Sequence, residues 1–171
     1  MIRDRIEYTG TGFPVVLLNF PAYQDGATHF PDVGPMGLHR IIATELLSRE
    51  GFLSGRELRF LRAHLDLSRS ECARKLGITR RTLITWEETG AKILPTAPLN
   101  HVSVKVILAR LLAPELRLPD AALRAPVRQI RRPLQIQFDR FRNSLTVLGD
   151  IAQSVELETY YQGLRVTGQA A

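Results

Sequence analysis

The chain has 171 residues, 23 Lys+Arg against 17 Asp+Glu, and a formal net charge of +6. That length allows one domain with extensions or two very small ones, and 44% hydrophobic with 23% charged residues describes a chain able to bury a core. No apolar run reaches the roughly 18 residues needed to span a bilayer, and the acidic residues of the first seven positions do not fit a signal peptide, so a cytoplasmic protein is expected. One cysteine, Cys72, excludes an internal disulfide, and His29, His39, His64 and His101 have no metal-ligand spacing, so neither a metal nor a cofactor is expected.

Charge is unevenly spread. Residues 1–50 hold 4 basic and 6 acidic side chains, 51–125 hold 13 and 7, and 126–171 hold 6 and 4. The basic middle segment is what one face meeting a polyanion requires, although a solvated helix surface has the same composition.

In chain order, Phe13 to Phe20 is an apolar, β-branched run between Gly12 and Pro21, which reads as a buried strand. Asp25-Gly26 marks a turn, and residues 27–33 read as a returning strand that Pro31 confines to an edge. Leu38, Ile41, Ile42 and Leu46 recur at helical spacing and predict a helix over 37–50.

Ser54-Gly55-Arg56-Glu57 and Ser68-Arg69-Ser70-Glu71 are both Ser-x-x-Glu capping boxes, each placing a helix start. Leu58, Leu61 and Leu65 form the inner stripe of the first helix. Cys72, Ala73 and Leu76 form that of the second, which stops at Gly77. Thr79 caps a third helix, Arg80 to Glu88, with Leu83 and Trp86 inward. Pro95 and Pro98 precede a fourth, Leu99 to Leu112. Past Pro133, the 4-3-4-3 spacing of Leu134, Phe138, Phe141, Leu145 and Leu148 predicts a helix with a narrow apolar seam. A β reading of Leu134, Ile136 and Phe138 leaves Phe141 unexplained. The seam serves either to join two copies or to pack on the fourth helix. Val155, Leu157 and Thr159, then Gly163 with Leu164 and Val166, read as a terminal hairpin.

Between Leu67 and Glu87, a capped helix, a Gly-containing turn and a second capped helix form a helix-turn-helix. These residues resemble the lambda-repressor-like (Xre) family, whose core reads Leu-Ser-Gln-x-Glu-Leu-Ala-x-x-Leu-Gly-Val-Ser and, further on, Trp-Glu. The resemblance covers about residues 53–112. Here Arg69 stands in place of the usual Gln, and Cys72, read as a buried hydrophobe, in place of the core Leu. The resemblance implies an internal ion pair between Arg62 and Glu87. The segment Tyr8 to Leu17 is similar to the β leader of some bacterial regulators, including antitoxins of the MqsA type, but lacks their zinc cysteines.

Arg80 and Arg81 follow a helix cap directly, where the helix dipole favours acids, so they are the candidates for reading bases together with Thr82 and Thr85. Arg69, Thr79 and Lys92 are the candidates for binding phosphate. No Gly-rich phosphate loop, Gly-x-Ser-x-Gly, His-Glu-x-x-His or paired-cysteine motif points to an enzyme. The expected fold is mainly α with small β elements: a leader at 1–36, a lambda-repressor-like helix-turn-helix domain at 37–112, and a C-terminal helix with hairpin at 113–171. The expected function is a transcriptional regulator, a homodimeric repressor of its own operon on pseudo-palindromic double-stranded DNA. The alternative is an antitoxin-like protein that neutralises a partner protein such as a toxin.

Overall fold

The structure, a computed structural model, describes residues 1–26, 28–32, 34–114, 116–123, 134–139, 144–148 and 153–156. Its elements are β1 (Ile2–Tyr8), β2 (Val15–Asp25), β3 (Thr28–Pro31), α1 (Pro35–Ser48), α2 (Gly55–His64), α3 (Arg69–Leu76), α4 (Arg80–Glu88), α5 (Pro98–Leu112), β4 (Leu134–Asp139), β5 (Ser144–Leu148) and β6 (Gln153–Glu156). They form two compact units, Met1–Ile41 with Arg132–Ala171, and Ile42–Arg131. The expected leader and the part of the expected C-terminal segment from Arg132 onward thus belong to one unit, while residues 113–131 belong to the other.

The first unit overturns the expected mainly-α class: the protein is a mixed α/β fold. Its sheet runs β1-β2-β4-β5-β6, with β3 on β2. β2 and β4 are parallel, with Val15 beside Leu134 and Leu17 beside Ile136, and the other pairings are antiparallel. The helix expected after Pro133 is therefore two strands. Leu134, Ile136, Leu145 and Val147 are buried and alternate with half-buried Gln135, Gln137 and Thr146, which is strand periodicity. The 4-3-4-3 spacing is shared by chance with a helix, and what decides the matter is a partner strand more than a hundred residues away, which local periodicity does not contain. Phe138 meets Phe20, ring centroids 5.9 Å apart, so it serves the sheet's own core and not a helical dimer seam. Phe141 and the expected hairpin beyond residue 156 lie outside the described residues.

The strands expected at 13–20 and 27–33 correspond to β2 and β3, joined at Gly26 (φ +58°). Asn19 adopts φ 54°, a left-handed conformation that Asn tolerates. It breaks the alternation, so that buried Phe20 and Ala22 continue the face begun by Val15 and Leu17. β1 was not anticipated, because its charges mask the pairing of Ile6 with Leu17. The Tyr8 hydroxyl lies 2.6 Å from Nε2 of His39 in the first turns of α1.

In the second unit, α3 to α5 begin and end within a residue of the sequence expectation, and α2 begins at its expected cap, although Leu65, expected on its inner stripe, lies just past its end as the C-cap. Both capping boxes close, Ser54 with Glu57 and Ser68 with Glu71, and Gly77 ends α3 in the left-handed region at φ 69°. The core joins Ile42, Leu46, Leu47, Leu53, Leu58, Leu61, Leu83, Leu94, Val104 and Leu108. On α5, His101 and Lys105 share the buried stripe with Val104 and Leu108. His101 stacks on Phe52, centroids 4.3 Å apart, with Nε2 3.2 Å from the Leu94 carbonyl. Lys105 Nζ donates to the Arg49 carbonyl at 2.7 Å, just past the end of α1, where a cation meets the negative end of the helix dipole. Glu57 serves twice: Oε2 accepts from the Ser54 amide, and Oε1 from Arg49 Nη2 at 2.5 Å.

Burial, reinforced by nearby Arg49, pushes Lys105 down from 10.5 to about 8, against the opposing pull of Glu57, Glu45 and Glu50. Between those values the unfolded chain binds the extra proton, so stability rises with pH across that window. Urea titrations of the wild type and Lys105→Met should show the wild type gaining roughly 1 to 3 kcal/mol relative to the variant between pH 7 and 10. An unchanged difference refutes the buried charged lysine.

Gly55 marks the closest approach of α2 to α4. A Cβ there would lie 2.3 Å from the Trp86 carbonyl oxygen and 2.9 Å from that of Glu87. Gly55→Ala should cost about 1 to 3 kcal/mol by forcing backbone apart. At Gly77 a Cβ meets nothing within 4 Å, so Gly77→Ala should cost only its left-handed strain, about 1 to 2 kcal/mol. Denaturant midpoints of the two variants check both expectations.

Candidate nucleic-acid interface

The site is built on α3, the turn 77–79 and α4. Two short helices need outside support, which comes from the packing of Cys72, Ala73, Leu83 and Trp86 and from one carboxylate that joins the helices. Glu87, with a side chain only 2% exposed, accepts from Arg62 Nε at 2.5 Å and from Arg69 Nε at 2.9 Å. Arg62 also donates from Nη1 to the Leu67 carbonyl at 2.9 Å, so one guanidinium ties α2, the loop before α3, and α4 together. Burial pushes the Glu87 carboxyl up, but hydrogen bonds and charge from Arg62 and Arg69 outweigh it and hold the group below the ordinary carboxylate range. The Cys72 thiol is buried nearby and is pushed up to about 11 by desolvation, which leaves it an unreactive part of the core.

Arg80 and Arg81 occupy the first two positions of α4, both exposed and without a carboxylate partner among the described residues. Thr85 lies one turn beyond Arg81 on the same face and is exposed, its hydroxyl turned back to the Arg81 carbonyl at 3.1 Å. Thr82 is half-buried. Its amide donates to Thr79 Oγ1 at 3.0 Å, and the two hydroxyl oxygens are 2.8 Å apart. Thr79 is thus first a helix cap, and only the remaining capacity of its hydroxyl is open to a phosphate. Arg69 divides its role in the same way: its Nε is held by Glu87 while its side chain remains 41% exposed. Lys92 is exposed, and the loop under it is pinned through its own amide to the Thr89 carbonyl and through its carbonyl to the Gly55 amide.

The structure therefore brings Arg69, Thr79, Arg80, Arg81 and Thr85 onto the two helix starts and the outer face of α4, with Lys92 beyond the far end of that helix. Sequence reasoning missed Arg56. Its amide donates to the Gly90 carbonyl at 2.9 Å and its side chain is exposed, so it joins Lys92 beside the end of α4. It also missed Gly55, whose sole signal was a glycine at the first position of a helix.

Among the described residues, no group of three His, Cys, Asp or Glu is placed to hold a metal, and no helix is long and apolar enough to cross a membrane. Comparison with family models, curated proteins and solved structures finds no match for this chain.

Below about pH 4.5, the ordinary value of its carboxyl, Glu87 begins to lose its contribution to stability, and the loss continues as pH falls through its lowered folded value. Glu87→Gln should destabilise the protein by about 3 kcal/mol at pH 7, because it leaves two guanidinium groups without their carboxylate. The gap to the wild type should narrow as pH falls below 4.5. Chemical denaturation across that range measures both, and a pH-independent gap refutes the ionised pair.

Proposed function

We propose that this protein is a sequence-specific DNA-binding transcriptional regulator of the lambda-repressor-like kind, acting in the cytoplasm. In this reading two copies engage a pseudo-palindromic operator and repress their own transcription. The observation that supports it is the pair of exposed guanidinium groups of Arg80 and Arg81 at the start of α4, without a carboxylate partner among the described residues, on a helix whose far end is held through Glu87 and packed against Gly55.

A guanidinium donates two parallel hydrogen bonds to guanine O6 and N7, a pattern that only the major groove offers. Cations at the positive end of a helix dipole gain nothing from their own helix, so their benefit must come from an external anion or acceptor. Arg69, Lys92 and Arg56 flank the reading face as phosphate ligands that set position without reading sequence. In this reading the exposed methyl of Thr85, whose hydroxyl is already bonded to the Arg81 carbonyl, is the group that would touch a thymine methyl. No catalytic role is assigned to any of these groups.

If each copy neutralises about four phosphates, log affinity against log salt should fall with a slope of roughly −3.6 per copy, or about −7 for two. Fluorescence anisotropy with duplexes from the DNA upstream of the protein's own coding sequence measures it, after footprinting has located the site. Arg80→Ala and Arg81→Ala should each cost about 1 to 3 kcal/mol on the preferred site and relax base preference there. Lys92→Ala should weaken all sequences alike and flatten the slope by about 1. A slope near zero overturns the reading, as does equal loss on specific and random DNA in the two arginine variants.

A further inference from the structure

Among the described residues, β1 is the last strand of the sheet on its side, and it runs seven residues, Ile-Arg-Asp-Arg-Ile-Glu-Tyr, without Pro or Gly. β3, which pairs with β2 alone, has four residues and ends in Pro31, a common way of closing an edge to further pairing. β1 has no such device. It has charges of alternating sign instead, and these select among possible partners.

The partner whose charges can be tested on the page is a second copy of this strand. Antiparallel self-pairing puts opposite each other only residues that both point their backbone groups across the junction or both point them away. The two-fold axis must therefore pass through a residue, which leaves few registers. With the axis at Asp4, Asp4 faces itself and Arg3 faces Arg5. With the axis at Arg5 or Glu7, that charge faces its own copy. With the axis at Ile6, Ile6 faces Ile6, Asp4 faces Tyr8, and Arg5 faces Glu7 on both sides of the axis. The Arg5 and Glu7 side chains are 59% and 78% exposed and already 3.5 Å apart within the strand, on the face opposite Ile6. With the axis at Arg3, Arg3 faces its own copy, and with the axis at Ile2 or Tyr8 no two opposite charges meet. The Ile6 register is thus the one that sets opposite charges face to face without setting a like charge against itself.

We propose that β1 is a self-pairing edge by which two copies of this chain join antiparallel about Ile6, continuing one sheet into the next. The contact is isologous, so every Arg5–Glu7 pairing occurs twice and closes the assembly at two copies. It relies on the sheet alone, and the test contains no DNA. Its failure and the failure of the DNA reading are therefore separate results.

The test is sedimentation equilibrium with light scattering on the full chain over a concentration series. The wild type should approach twice the 19.3 kDa of one chain. Arg5→Glu places two carboxylate pairs face to face and Glu7→Arg two guanidinium pairs, and each should raise the dissociation constant at least tenfold, from about two cross-strand pairs lost and made repulsive. The double variant Arg5→Glu with Glu7→Arg restores the complementarity and should return within about threefold of the wild type. Both side chains are exposed, so circular dichroism of all variants should match the wild type, and any drop in melting temperature of the single variants should follow their weaker association and vanish on dilution. A monomeric wild type overturns the proposal. Single variants that dimerise as the wild type does also overturn it, as does a double variant no better than the singles.

Discussion

Burying the carboxylate of Glu87 would be prohibitive for an isolated charge, and the second unit is arranged around making it favourable. Two guanidinium groups reach it, one from α2 and one from the first residue of α3. Because the donors stand on different helices, the pairing fixes α4 in rotation and not only in distance. The backbone of the same turn of α4 is where α2 comes closest, over Gly55. The C-terminal half of α4 is thereby held by charge on one side and by backbone contact on another. The proposed recognition surface needs supporting groups that hold it to within a fraction of an ångström, and these contacts are of the kind that can do so.

The same device appears a second time. Glu57 closes the cap of α2 and receives Arg49, while the Arg49 carbonyl receives the buried ammonium of Lys105 from α5. In each case a charged group joins a helix end to a helix side, and each acid is matched by more than one donor. What remains outside these networks is informative. Arg80, Arg81 and Lys92 take no part in an internal ion pair among the described residues, and they share this with other basic side chains of the segment such as Arg56, Arg74 and Lys75, so it is the position of Arg80 and Arg81 at the start of α4 that sets them apart.

The parts legible in the sequence were those decided within about four residues. A capping box is a reciprocal pair of hydrogen bonds between a residue and its third neighbour, so Ser54–Glu57 and Ser68–Glu71 show in the sequence as they stand in the fold. Gly77 and Thr79 are of the same kind. The parts not legible depend on partners far along the chain. Leu134, Phe138 and Leu145 fit a helical seam until β2 is placed beside them, and Arg5 and Glu7 hide the strand that contains them. The division of Arg69 between Glu87 and solvent was missed for the same reason, since 18 residues separate the two partners.

The pairing of β2 with β4 explains how a mixed sheet and a self-contained helical unit share one chain. Adjacent parallel strands require a crossover, and here it runs from β2 to β4 and carries β3 and all five helices. Closing so long a connection costs little more than closing a short one, because the entropy grows only with the logarithm of length. The capping boxes, the Glu87 pairings and the leucine core of the second unit are all internal to that crossover. Among the described residues, the hydrogen bonds and ion pairs that hold the surface carrying Arg80 and Arg81 lie within the second unit, so the local order of that surface is set by residues close to it in the chain.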